Sequence, residues 1–166
     1  MKIIKYPNPI LNKKLTPVNL QNPQCDLTTL KENLVKVMLE NGGIGLSANQ
    51  IGIDLQAFVM GNSTTDAILC VNPTVLEYTE EKLEDYEGCL SFPNMAAYIS
   101  RPREILAKFY DENLEEHIIK ISDYSAKCYL HELDHILGIT MKDRVSRLKW
   151  YMTQKKIKKN RNKNGY

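Results

Sequence analysis

Apolar residues recur at helical spacing in two parts of the chain and at strand spacing through most of the stretch between them. From Asp26 onward, Leu27, Leu30, Leu34, Val37 and Met38 follow an i, i+3, i+7 period. Thr29 and Glu32 have the spacing of a capping box, and Gly42-Gly43 ends the run. A second helix starts after Ser122-Asp123 and runs to about Leu137, with Gly138 just past its end. Its apolar residues Ala126, Cys128, Tyr129, Leu130, Leu133, Ile136 and Leu137 cover more than one stripe, which predicts a largely buried helix. Between the helices, Leu55–Met60, Ile68–Asn72 before Pro73, and Thr74–Tyr78 are short apolar or β-branched segments that predict strands. Residues 104–110 alternate through Ile105, Ala107 and Phe109 and pair with 116–121 across the turn signature Asp111-Glu112-Asn113. Four prolines, Pro7, Pro9, Pro17 and Pro23, predict irregular wrapping over residues 1–25, and Glu77 to Glu87 predicts an acidic, solvent-facing stretch. The expected fold class is α+β: short, mostly antiparallel strands in small sheets around the 123–137 helix, with 26–41 against the outside.

Composition narrows the class of molecule. With 166 residues, 43% hydrophobic and 25% charged, the chain has the size and balance of one globular domain. No stretch nears the roughly 18 apolar residues of a membrane span. Met1-Lys2-Ile3-Ile4 runs straight into Tyr6-Pro7-Asn8-Pro9 without an apolar leader, so the expected location is cytoplasmic, with neither membrane nor DNA as partner. Cysteines 25, 70, 89 and 128 have no close pairing pattern and predict free thiols or metal ligands. The net charge of +2 conceals an asymmetry: residues 149–166 hold seven bases and no acid, leaving 15 bases against 20 acids elsewhere. The expected organisation is a single domain over 1–150 and a basic polar tail over 151–166, solvated or in contact with a polyanion such as ribosomal RNA.

The chemistry concentrates at His131-Glu132-Leu133-Asp134-His135. On a helix, residues four apart lie about 40° from each other around the axis, so both histidines can grip one metal. Glu132 beside the first of them can reach a water as general base, the arrangement of metal-assisted hydrolysis. Two ligands need a third. No Glu or His follows His135 within the chain, and Met141 stands where a metzincin would place its third histidine, so the third ligand must lie upstream.

The upstream candidates are His117 and the cysteines. Cys89, in Glu87-Gly88-Cys89-Leu90-Ser91, follows a glycine on a bend between strands, which exposes its sulfur and points the neighbouring Leu90 N–H the same way. His117 lies in an alternating strand beside a hairpin turn and predicts a surface histidine. Cys128, three residues before His131, is close enough in register to ligate but better placed to line a pocket wall. A second stretch, Gly43-Ile44-Gly45-Leu46-Ser47-Ala48-Asn49-Gln50, lacks the lysine of a phosphate loop. Its small residues let backbone approach a ligand closely, and Gln50 is a neutral donor suited to a carbonyl or oxyanion; taken alone it is a turn with an exposed amide.

These three stretches together resemble the G-x-G-Φ-A-A-x-Q, E-G-C-L-S and H-E-x-D-H motifs of peptide deformylases, in that order and at matching spacing, and the likeness of layout extends to about residue 150. The resemblance implies metal ligands at Cys89, His131 and His135, a general base and acid at Glu132, and oxyanion donors at Gln50 and the Leu90 N–H. It further implies that Gly45 contacts the substrate backbone, that Ile44, Glu87 and Cys128 surround a methionine pocket, and that Arg101 pairs with Asp134. The implied reaction is hydrolysis of the formyl group from N-formylmethionyl peptides, releasing formate, with Fe(II) as the cellular metal and Zn(II), Ni(II) or Co(II) acceptable to the same ligands. Ser47 and Asn49 depart from the residues most frequent in the family and are expected to reshape the cavity entrance, and 94–97 lacks a basic residue that many members carry. The chain also puts Lys/Asn-rich sequence where a long terminal helix is usual. The alternatives are another Cys-His-His amidase or peptidase, or a purely structural metal in an RNA-binding protein, which four protein ligands would mark.

Overall fold

In a computed structural model, which describes residues 1–163 with side chains described through residue 155, the apolar period after Asp26 becomes helix α1 (Leu27–Glu40). Its cap is Asp26, whose carboxylate accepts from the Thr29 N–H at 2.6 Å, so the helix begins before the Thr29 box expected from the sequence. Seven strands follow: β1 (Gly45–Ser47), β2 (Ala57–Met60), β3 (Ile68–Tyr78), β4 (Lys82–Cys89), β5 (Phe92–Pro102), β6 (Glu104–Tyr110) and β7 (Glu116–Ser122). Helix α2 (Asp123–Ile136) and helix α3 (Arg147–Lys163) complete the chain. The α+β class expected from the sequence is the class observed.

Strand alternation explains how the layers assemble. The five-stranded antiparallel sheet has the order β1-β2-β3-β6-β7. On β2, Ala57 and Val59 turn toward the leucine face of α1, while Phe58 between them turns toward α2. On β3, Leu69 and Val71 face α1 and Cys70 faces α2. The sheet is therefore covered on both sides, and α2 lies against it through Ala126, Tyr129 and Ile136. Tyr129 packs edge-on against Phe58 and spends its hydroxyl on the carbonyls of Thr74 and Lys108, at 3.1 and 3.2 Å, so a large aromatic is buried without an orphaned polar atom.

The β4–β5 hairpin forms a separate two-stranded ribbon whose tight turn, Leu90-Ser91, stands directly after Cys89. A third core of Phe92, Ala97, Ile99 and Met141 roots it, with Tyr6 stacked on Phe92 at 4.8 Å and Trp150 edge-on at 5.7 Å. The N-terminal arm, the ribbon and the start of α3 thus meet at one place.

Four expectations are corrected. The two strands expected on either side of Pro73 are one, because Asn72 takes a positive φ of 48° at a register shift and lets β3 continue past the proline. The stretch expected as a glycine turn with an exposed amide is β1 followed by a 3-10 turn, Ala48–Ile51, and Gln50 is only 2% exposed. The acidic stretch is largely strand β4, and its last acid, Glu87, is buried. Residues 147–163 form a helix where the sequence was read as Lys/Asn-rich in place of one; the tail bases beyond Lys155 have side chains outside the described residues.

Candidate metal centre

Helix α2 carries His131, Glu132 and His135 on the face that looks toward β1 and the β4–β5 turn, and the ribbon brings Cys89 to meet them. One ligand atom from each of Cys89, His131 and His135 lies within 4.8 Å of the others, and Cys89 Sγ is 3.3 Å from His135 Nε2. A thiolate and an imidazole on one tetrahedral ion stand about 3.6 Å apart, from bonds of about 2.3 and 2.1 Å, so the donor set fits a divalent cation of that size. Two buried polar atoms lack hydrogen-bond partners among the described residues, Glu132 Oε2 and His135 Nδ1. The unpartnered oxygen belongs to a carboxylate whose residue, Glu132, lines the cavity beside this donor set.

Glu87 explains how His131 is aimed. Its Oε2 accepts from His131 Nδ1 at 3.0 Å, which puts the proton on Nδ1 and leaves the Nε2 lone pair for the centre. Arg101, 4% exposed, forks onto the same carboxylate with Nε at 2.7 Å and Nη2 at 2.8 Å, and its Nη1 reaches Asp134 Oδ2 at 2.9 Å. Arg144 closes the other side of Asp134. Burial would raise the Glu87 pKa, but the bonds from Arg101 and His131 outweigh it and lower it to about 2, so the carboxylate is a fixed anion.

The imidazoles respond in opposite directions. Burial disfavours a charged His131, yet Cys89 and Glu87 beside it push its pKa well above the ordinary value. Burial and the neighbouring His131 push His135 well below it. Burial also drives the Glu132 carboxyl up to about 7, against the pull of His131 and Arg101, and raises the Cys128 thiol.

Gln50 is oriented by its own neighbours. Its Oε1 accepts from the Ser47 N–H at 3.0 Å and lies 3.1 Å from the Ser47 hydroxyl, so its amino group must point the other way. That group reaches Ser91 Oγ at 3.0 Å and Cys89 Sγ at 3.6 Å. Ser47 and Asn49 are therefore not at the entrance, as the sequence led us to expect. Both are fully buried, Ser47 holding Gln50 and Asn49 donating to the His135 carbonyl at 3.1 Å.

A cavity of about 640 Å³ opens onto this cluster. Ile44, Gly45, Glu87, Leu90 and Cys128 all line it, as do Gln50, Cys89, His131 and Glu132, whereas the implied ligand His135 is buried behind the wall. Ile44 is half exposed at the rim, while the Leu90 side chain packs against Gly43 and the core beneath α1. His117 is remote from the centre: it stacks on Phe109 and bonds Asp111 at 2.9 Å on the β6–β7 hairpin. The residues that sequence reasoning missed are Lys5, Tyr86, Tyr124 and Lys127 on the cavity wall, and Ser91 bonded to Gln50. Only Ser91 had a sequence signal, its place inside the cysteine motif.

The Polypeptide deformylase family model matches residues 1–150 of the chain. The peptide deformylase of Desulfotalea psychrophila is 35% identical over 164 residues, covering 96% of this chain and 95% of that one. That of Borreliella burgdorferi is 31% identical, over 95% and 99% of the respective chains. The crystal structure of a peptide deformylase from Legionella pneumophila superposes with a TM-score of 0.87 at 30% identity, covering 99% of this chain and 96% of that chain.

Proposed function

The chain belongs to the peptide deformylase family, metallohydrolases that remove N-formyl groups from nascent polypeptides, and we propose that it performs this reaction with the residues gathered around Cys89, His131 and His135. The observation that carries the assignment is the convergence of one sulfur and two imidazoles beside an unpartnered, buried Glu132 oxygen. Cys89, His131 and His135 would hold a divalent ion, which when bound acidifies water and polarises a carbonyl. Glu132 takes the proton of the attacking water as the water oxygen bonds to the formyl carbon. Negative charge then grows on the formyl oxygen, where the Gln50 amino group and the Leu90 N–H donate hydrogen bonds. As the carbon–nitrogen bond breaks, Glu132 passes its proton to the departing amine, leaving formate and a free N-terminus. Glu87 and Arg101 act behind His131, keeping its ring in the tautomer and direction that a ligand needs.

Substrate enters along the cavity. Ile44 and Cys128 border the space for the first side chain, with the buried Glu87 carboxylate behind it, and Gly45 offers backbone at the edge of β1 for an extended peptide to pair with. The ion in the cell is proposed to be Fe(II), with Zn(II), Ni(II) and Co(II) accepted by the same donors. No helix among the described residues is long and apolar enough to cross a membrane. A cytoplasmic location and a ribosome contact through the basic C-terminal segment are parts of the same proposal. Formate release from a formyl-Met peptide, measured against cleavage of an internal peptide bond with Fe, Zn and Ni reconstituted separately, tests it. Formate and the deformylated peptide, with no internal cleavage, are the expected products, and internal cleavage without formate would refute it.

A further inference from the structure

Lys5 belongs to none of the three motifs, yet its Nζ donates to the Leu90 carbonyl at 2.6 Å and its side chain lines the cavity. Its neighbours grip the same machinery. The Ile4 N–H donates to the Gln50 carbonyl at 2.8 Å, and the Tyr6 N–H to the Ser91 carbonyl at 2.9 Å. Three consecutive residues of the N-terminal arm therefore hold, in turn, Gln50, Leu90 and Ser91.

We propose that Lys5 is a positioning residue for deformylation, fixing the rotation of the Leu90-Ser91 turn so that the Leu90 N–H stays aimed at the formyl oxygen. The Leu90 N–H and C=O flank one Cα, and the side chain between them is already packed against Gly43. Anchoring the carbonyl removes the remaining freedom of that residue. The proposal rests on the oxyanion role given to Leu90 above. A hydrogen bond from an exposed lysine adds little to stability, so losing it should leave the fold intact while loosening the turn. Small misplacements of an oriented donor are costly to turnover, and a partial release of this kind should cost about tenfold.

The experiment compares the metal-reconstituted parent with Lys5→Met, Lys5→Arg and Lys2→Met, reading kcat, KM, thermal midpoint and amide exchange at residues 90 and 91. Lys2, on the same arm, makes no side-chain hydrogen bond or ion pair among the described residues and controls for lost charge. The expected result is that Lys5→Met lowers kcat about tenfold with KM within about twofold and an unchanged midpoint. Exchange at Leu90 and Ser91 should rise in that variant, Lys5→Arg should recover most of the loss, and Lys2→Met should match the parent. An unchanged kcat, a loss carried by KM, an equal loss in Lys5→Arg or Lys2→Met, or unaltered exchange each overturns it. A parent that releases no formate defeats the functional assignment instead, which keeps the two failures apart.

Discussion

A Cβ placed on Gly45 would stand 2.5 Å from Glu132 Oε1 and 2.9 Å from Cys128 Sγ, so β1 passes the Glu132 carboxylate at a distance that only glycine permits. Gly45 thus has a packing task inside the wall beside the one proposed for it toward substrate. Gly45→Ala should displace the carboxylate and lower kcat by about a hundredfold, since misplacement by about 1 Å has that effect. Steady-state formate release alongside metal content checks this; normal turnover would mean that the close approach is incidental.

Glu132→Gln keeps the size of the side chain and removes its ability to take a proton. The variant should bind one equivalent of metal as the parent does and lose between about 10² and 10⁴ in turnover. Metal analysis and single-turnover formate release on the same sample separate binding from chemistry. Near-normal rates in this variant would remove Glu132 from the mechanism.

Ser47 is fully buried, with its hydroxyl 2.7 Å from Asn49 Oδ1 and 3.1 Å from Gln50 Oε1. Ser47→Ala leaves an Asn49 acceptor without its partner in the interior, which should destabilise the fold by about 1–3 kcal/mol. The Gln50 amide keeps its bond from the Ser47 N–H, so turnover should fall only a few-fold. Urea unfolding and kcat together check the split.

Arg101 ties Glu87 of the ribbon to Asp134 of α2 through direct bonds. Arg101→Met leaves two buried carboxylates under-compensated and should cost about 3–5 kcal/mol. Because Glu87 holds His131, metal affinity should fall as well, by about 10–100-fold. Isothermal titration with Zn(II) and equilibrium unfolding measure the two effects; unchanged affinity would detach Glu87 from the centre.

The parts of the fold that were legible in the sequence are those whose side chains face an apolar core with a clean period. Helix α1 and strand β6 each bury one such face. Strand β5 escaped notice because its alternately buried positions Ala97, Ile99 and Arg101 mix apolar with charged side chains, and the exposed Tyr98 between them is aromatic. Helix α3 was hidden for a related reason, being polar on nearly every side with no stripe to betray it. At the site, motif spacing was enough to nominate Cys89, His131 and His135, which the fold brings together although Cys89 and His131 lie 42 positions apart in sequence. The Arg101–Asp134 pair came only from the family resemblance, and the contact of Lys5 with the Leu90 carbonyl, 85 residues away in sequence, has no local pattern to announce it.

The central claim is that one sulfur from the ribbon joins two helical imidazoles on a single ion. X-ray absorption on Zn- or Fe-loaded protein measures this directly. The account predicts one sulfur at about 2.3 Å, two imidazole nitrogens at about 2.0–2.1 Å and one further light scatterer, with the sulfur lost in Cys89→Ala. A sulfur count of zero or two, a signal unchanged in that variant, or four protein donors around the ion would contradict it.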